Sequence, residues 1–116
     1  MSPTIYGIKS CDTMKKTFAW FEGAGVAYGF HDYKKSGIDA ATLARWCEAL
    51  GWEALVNKRG TTWRKLTPEQ QAIADGKAAI ALMQAQPSLI RRPVIDFGEG
   101  GLVVGFDPDA FAARTA

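Results

Sequence analysis

Two cysteines and one histidine stand in 116 residues, and that scarcity excludes a good deal. A Cys/His metal site needs several ligands at short spacings, and the chain has no supply for one, so no metal is expected. A Cys-X-X-Cys redox pair is excluded too, because Met14 holds the position where a second thiol would follow Cys11. Charge of one sign is lacking. Lys and Arg total 14 against 12 Asp and Glu, a net charge of +2, too mild by itself to form a nucleic-acid surface. No apolar run approaches the roughly 20 residues that cross a bilayer. The start, Met1-Ser2-Pro3-Thr4-Ile5, lacks the basic-then-apolar pattern of a secretory signal. The expectation is a cytoplasmic protein with neither membrane association nor a direct nucleic-acid partner. In that reducing setting Cys11 and Cys47 are expected as free thiols.

What is present is enough apolar material, 47% of the residues, for one domain over 1–116. The most informative stretch opens it. Thr4-Ile5-Tyr6-Gly7-Ile8 favours a strand, Lys9-Ser10 breaks it, and a helical pattern begins at Cys11-Asp12-Thr13. A thiol at a strand-to-helix junction meets the unpaired N–H groups and partial positive charge of the helix start, which favour a thiolate. Lys9, Lys15 and Lys16 add to that pull and Asp12 opposes it. Cys11 is thus the candidate nucleophile. The alternative is a buried structural cysteine, since free Cys packs as a small hydrophobe, and the polar neighbours Ser10, Asp12 and Thr13 argue against it. Cys47 lies in Leu43, Trp46, Cys47, Leu50, the stripe of a helix's buried face, and reads as core.

Along the chain, Met14, Phe18 and Phe21 share a helical face that Gly23 and Gly25 terminate. Val26, Tyr28 and Phe30 alternate as a half-buried strand does, completing a βαβ unit. His31, at its end, is assigned no role. The middle turns helical: Asp39 caps a helix reaching Gly51, Thr67-Pro68-Glu69-Gln70 carries a capping box, and an Ala-rich helix runs from about Gly76 to Gln86. Between them Asn57-Lys58-Arg59-Gly60-Thr61-Thr62-Trp63 is a basic turn, on composition alone a solvated loop. Val94–Phe97 and Leu102–Phe106 read as a hairpin around Gly98-Glu99-Gly100-Gly101, and Asp107-Pro108 opens a last helix. The order βαβ, helices, ββα has the shape of a thioredoxin-like sheet with a helical insertion. Before the third strand comes Arg91-Arg92-Pro93. Such a pair is often plain surface. If a sharp turn at Pro93 brings Arg92 beside Cys11, however, its guanidinium becomes a permanent donor to an anion at the sulfur.

Three separated motifs, Tyr6–Thr13, Gly51–Trp63 and Leu89–Pro93, resemble the arsenate reductase ArsC-like family in the right order and over essentially the full length. Within it the chain is most similar to the YffB-type members of the Spx/YffB branch. The resemblance implies a thioredoxin-like core of about 1–36 and 87–116, a helical insertion of about 37–86, and a mixed sheet of about four strands. It implies that Cys11 is the catalytic cysteine and that Arg92, Arg59, Pro93 (in cis) and Thr13 bind substrate. It also implies glutathione as co-substrate with no tightly bound cofactor, glutaredoxin as a partner and, by likeness to the Spx regulators, the RNA polymerase α subunit as another. The chain departs from the reductases in three places. Gly105 stands near their third oxyanion arginine, Gly7 replaces a histidine and Met14 a serine. An arsenate-like dianion would meet fewer donors, each charge-assisted hydrogen bond counting for roughly 1.5 to 3 kcal/mol. A glutathione-dependent thiol reductase is therefore the leading expectation, a non-catalytic regulator the alternative, and a true arsenate reductase the least favoured.

Overall fold

The computed structural model describes residues 2–116. In chain order the elements are β1 (Thr4–Gly7), α1 (Asp12–Ala24), β2 (Gly29–Asp32), α2 (Tyr33–Ser36), α3 (Ala40–Leu50), α4 (Trp52–Leu55), α5 (Thr61–Arg64), α6 (Pro68–Gln71), α7 (Gly76–Ala85), β3 (Val94–Asp96), β4 (Leu102–Val104) and α8 (Pro108–Thr115). Short 3-10 turns occupy Pro87–Leu89 and Gly98–Gly100. The chain divides into two compact units, one reaching to Ser36 and resuming over Arg92–Ala116, the other Gly37–Arg91.

The first unit is built on a mixed sheet ordered β2-β1-β3-β4, in which β1 runs parallel to β2 and antiparallel to β3, and β3 antiparallel to β4. Register sets Ile5 beside Ile95 and Ile95 beside Val103, so three apolar side chains share one face. Met14 and Phe21 from α1 and Phe111 from α8 close over that face in a single buried cluster. Burial of each such side chain contributes about 1.5–3 kcal/mol, so packing rather than intrinsic propensity seats α1 and α8. Gly25, at φ 70°, ends α1 in a left-handed cap, its N–H donating to the Glu22 carbonyl and that of Val26 to the Phe21 carbonyl. Asp107 accepts from the Ala110 N–H at 3.1 Å, and Pro108 takes the first position of α8, as the sequence led us to expect.

The second strand starts later than its alternation suggests. Val26 and Tyr28 pack sideways against the core cluster instead of pairing, and pairing begins where the Gly29 N–H reaches the Pro3 carbonyl at 2.9 Å. The hairpin strands also stop early, β4 because Gly105 leaves extended geometry at φ 90°.

In the second unit α3 begins on Asp39, which accepts from Thr42 N–H at 2.8 Å, and α6 carries the reciprocal Thr67–Gln70 box. Leu43 and Trp46 are buried, while Cys47 and Leu50 are half-buried, so Cys47 sits at the edge of the stripe rather than in the core. The turn after Asn57 is more ordered than a solvated loop. Its second half is α5, and the Lys58 ammonium lies over the Trp52 and Trp63 rings at 5.7 and 5.5 Å. The Asn57 N–H donates to the Leu89 carbonyl at 2.8 Å and the Arg91 N–H to the Leu55 carbonyl at 2.7 Å. Those bonds keep 87–91 with the helices, so this unit ends beyond the position read from the sequence. Among the described residues no helix is long and apolar enough to cross a membrane.

Candidate active site at the junction of β1 and α1

Register alone gathers the site. Gly7 pairs with Asp32, Tyr6 with Val94, and Val94 with Val104. Four segments therefore leave the sheet at one edge: Ile8–Cys11 after β1, Tyr33 after β2, Arg92–Pro93 before β3 and Gly105 after β4. Crevices beyond the carboxyl ends of parallel strands are where open α/β sheets bind ligands.

Cys11 is the N-cap of α1, in extended conformation at φ −85° and ψ 136°, with its carbonyl already accepting from Lys15 N–H at 3.0 Å. The thiol is half-buried, and that burial works against ionisation. It is outweighed by the Met14 N–H, by a hydrogen bond from the Arg92 guanidinium, by the Thr13 N–H and by the charge of Arg92, which together bring the thiol below its ordinary value. The sulfur makes no conventional side-chain cap. Its stabilisation comes from donors directed at an anion. The cation beside the sulfur is Arg92, whereas Lys9, Lys15 and Lys16, expected to help, are exposed.

Of the other residues singled out, Thr13 contributes through its backbone N–H, while its carbonyl accepts from the Thr17 hydroxyl at 2.8 Å. Pro93 is buried, follows a cis bond from Arg92, and accepts from Gly105 N–H at 2.8 Å. Arg59 belongs to the second unit. It is exposed, with its N–H bonded to Asn57 Oδ1 and its carbonyl accepting from Arg64. The structure thus brings Cys11, Thr13, Arg92 and Pro93 together, and Arg59 is described with its own helices.

The departures at positions 7 and 14 are one feature. Met14 is fully buried, and a Cβ at Gly7 would collide with its Sδ and Cε. The thioether fills the space a side chain at position 7 needs, so the larger residue at 14 requires the smallest at 7.

Sequence reasoning missed Tyr33. Its side chain is 2% exposed, its ring lies 6.2 Å from that of His31, which is itself 5.0 Å from that of Tyr6. Burial, reinforced by the Tyr6 phenol, pushes its ionisation far up although Arg92 pulls it down, so it stays a neutral phenol. Its hydroxyl oxygen is shielded from solvent and has no hydrogen-bond partner among the described residues. No motif flags it, because its meaning depends on which strand end lies beside Arg92.

Comparison with known proteins identifies the family and the fold. A model of the ArsC family matches residues 6–114. The chain is 37% identical over 113 residues to an uncharacterized protein of Haemophilus influenzae, covering 97% of this chain and 98% of that one. It is 27% identical to the global transcriptional regulator Spx of Listeria innocua, over 91% of this chain and 81% of the relative. Among solved structures, the YFFB (PA3664) protein superposes with a TM-score of 0.94 at 53% identity, covering 99% of this chain and 100% of that one. An arsenate reductase (ArsC) related protein from Brucella melitensis gives 0.76 at 51% identity, covering 97% and 93%.

Proposed function

The chain belongs to the ArsC family, and on that premise we propose that it is a monothiol, glutathione-dependent thiol/disulfide reductase of the cytoplasm with Cys11 as its nucleophile. The observation that carries the reading is the Cys11 sulfur held toward the thiolate by the Met14 and Thr13 N–H groups and the Arg92 guanidinium. The Cys11 thiolate attacks one sulfur of a disulfide or glutathione adduct, forming a Cys11 mixed disulfide while the other sulfur leaves as a thiolate that takes a proton from solvent. A glutathione thiolate then attacks the substrate-derived sulfur of the mixed disulfide and restores the Cys11 thiolate, leaving a glutathione–substrate disulfide, or glutathione disulfide where the substrate sulfur is itself that of glutathione; a separate two-electron reductant returns that product to thiols. The second thiol comes from solution because Met14 stands in place of a resolving cysteine, and Cys47 is held protonated by its burial and by Glu53. Arg92 has a second use in this scheme, as a fork-shaped donor to a substrate carboxylate.

Incubation with glutathione disulfide, followed by mass spectrometry, tests the reading. One glutathione adduct on Cys11, released by added glutathione and absent in Cys11→Ser, is the expected result. No adduct at Cys11 would contradict it.

A second reading, a non-catalytic partner of the RNA polymerase α subunit, draws support from the regulator relatives and from the missing second thiol. Equal recovery of that subunit by wild type and Cys11→Ser would favour it. Arsenate reduction is least supported, since Gly105 offers no side-chain donor at the site's edge.

A further inference from the structure

The strand β2 lies at the edge of its sheet, hydrogen-bonded to β1 on one side only. Alternate residues of a strand turn their N–H and C=O groups to the same side. The Gly29 N–H goes to the Pro3 carbonyl, so Gly29 and His31 face β1, while Tyr28, Phe30 and Asp32 present their amides outward. Such an edge is a template for another strand, and proteins blunt it with devices such as lysine or proline. Gly29–Asp32 contains neither.

Side chains mark the same edge. Phe30 is 37% exposed, one of two large apolar side chains left so open among the described residues. It meets Phe18 edge-on at 5.1 Å, and Phe18 stacks on Tyr28 at 5.7 Å, so an aromatic row runs beside the open amides. Next to Tyr28 a groove of about 480 Å³ is lined by Phe21, Glu22, Gly25, Val26 and Ala27.

This edge is complementary to itself. A second copy laid antiparallel, about a two-fold axis at Phe30, sets Phe30 opposite the partner's Phe30 and Tyr28 opposite the partner's Asp32. All of these positions carry outward amides, so each pairing is a hydrogen-bonded one. In the outer pairs a phenol meets a carboxylate. Burial and the Glu22 charge push Tyr28 ionisation up, which keeps it a donor, and the Lys34 N–H engages only Oδ1 of Asp32, at 2.9 Å. The same axis carries the exposed Lys34 and Lys35, which follow Asp32, toward the end of the partner strand where the groove holds Glu22. Sliding the copies toward the end of β2 would set Asp32 against Phe30 or against its own copy, where a carboxylate finds no donor. An unrelated strand would satisfy the amides alone.

We propose that β2 is a self-docking edge, through which two copies pair antiparallel over Tyr28–Asp32 and join two four-stranded sheets into one. So short a contact buries less than about 1,200 Å², which makes the dimer reversible. Because Gly7 pairs with Asp32 at the end of β2, the two Cys11 sites lie at opposite ends of the joined sheet and stay open.

The test places one thiol in the Cys11→Ser/Cys47→Ser protein. Opposed residues of a hydrogen-bonded antiparallel pair have Cα atoms about 5.5 Å apart, within disulfide reach. Phe30→Cys should therefore oxidise to a covalent dimer about tenfold or more faster than Tyr28→Cys, whose two copies stand roughly 14 Å out of register. Wild type in reducing buffer should show a monomer–dimer equilibrium by sedimentation at high concentration. Phe30→Lys, which sets like charges opposite each other, should abolish it while leaving the Cys11 alkylation rate unchanged. Equal oxidation of Phe30→Cys and Tyr28→Cys, wild type monomeric up to millimolar concentration, or a dimer unaffected by Phe30→Lys would each overturn the proposal. Should Phe30→Lys fail to fold, the two oxidation rates decide alone.

Discussion

Cys11 and Cys47 are both free and both half-buried, yet their surroundings drive them in opposite directions. Cys11 sits where α1 begins, with two amide N–H groups and a guanidinium facing the sulfur, and its thiol is brought down. Cys47 lies in the last turn of α3, at the negative end of that helix. Burial pushes its thiol up and the Glu53 carboxylate adds to the effect. Exposure therefore does not rank these thiols, and the sign of the local field does.

The sharpest way to break the comparison is to remove each sulfur. Cys11→Ser should take thiol reductase turnover down to the uncatalysed background, a loss on the order of 10³-fold or more. Cys47→Ser should leave turnover within about twofold and cost at most about 1 kcal/mol in chemical denaturation. Loss of activity in Cys47→Ser would mean that the two thiols act together.

A second prediction concerns the packing beneath Cys11. Gly7→Ala should destabilise the fold by about 1–3 kcal/mol, because the new methyl meets the buried Met14. Met14→Ala alone should cost about 2–5 kcal/mol through the cavity it leaves. The double variant should fall short of the sum by about 1 kcal/mol, as expected for two residues competing for one space. Strict additivity in urea melts would show that Gly7 and Met14 are independent.

Arg92→Ala should make Cys11 behave more like Cys47. Its alkylation profile should move to higher pH and its rate near neutrality fall by about tenfold, with Arg92→Lys recovering part of the loss. The same change has a stability signature. A thiol whose folded pKa is depressed stabilises the fold at pH above the unfolded pKa, and that contribution is lost as pH falls through the lower folded value. The Tm difference between wild type and Cys11→Ser should therefore grow with rising pH across that window, and Arg92→Ala should narrow the window. The smallest effect belongs to the other thiol. Glu53→Gln removes an exposed charge and should raise the alkylation rate of Cys47 by no more than about threefold.

Much of this was legible in the sequence wherever local rules and tertiary packing agree. The caps at Asp39, Thr67 and Asp107 appear where their side-chain chemistry put them, as do the βα junction at Cys11 and the final hairpin. The four-residue helices α2, α4 and α5 did not show, since a single turn is too short for a 3.6-residue period to register. Arg92 was legible only conditionally, because its value depends on β3 pairing with β1 in a register that brings position 92 to the edge reached by Cys11. Tyr33 was not legible at all. It looked like one more aromatic at a strand end, and what distinguishes it is an unmatched hydroxyl that only tertiary structure reveals.

Rates of alkylation by iodoacetamide across a pH series, taken for Cys11 in the Cys47→Ser protein and for Cys47 in the Cys11→Ser protein, test the central claim most directly. The field at the start of α1 predicts that Cys11 reaches half its limiting rate at a pH below that of a free thiol, and that Cys47 does so above it. An inflection for Cys11 at or above the free-thiol value, or coincident curves for the two residues, would contradict the account.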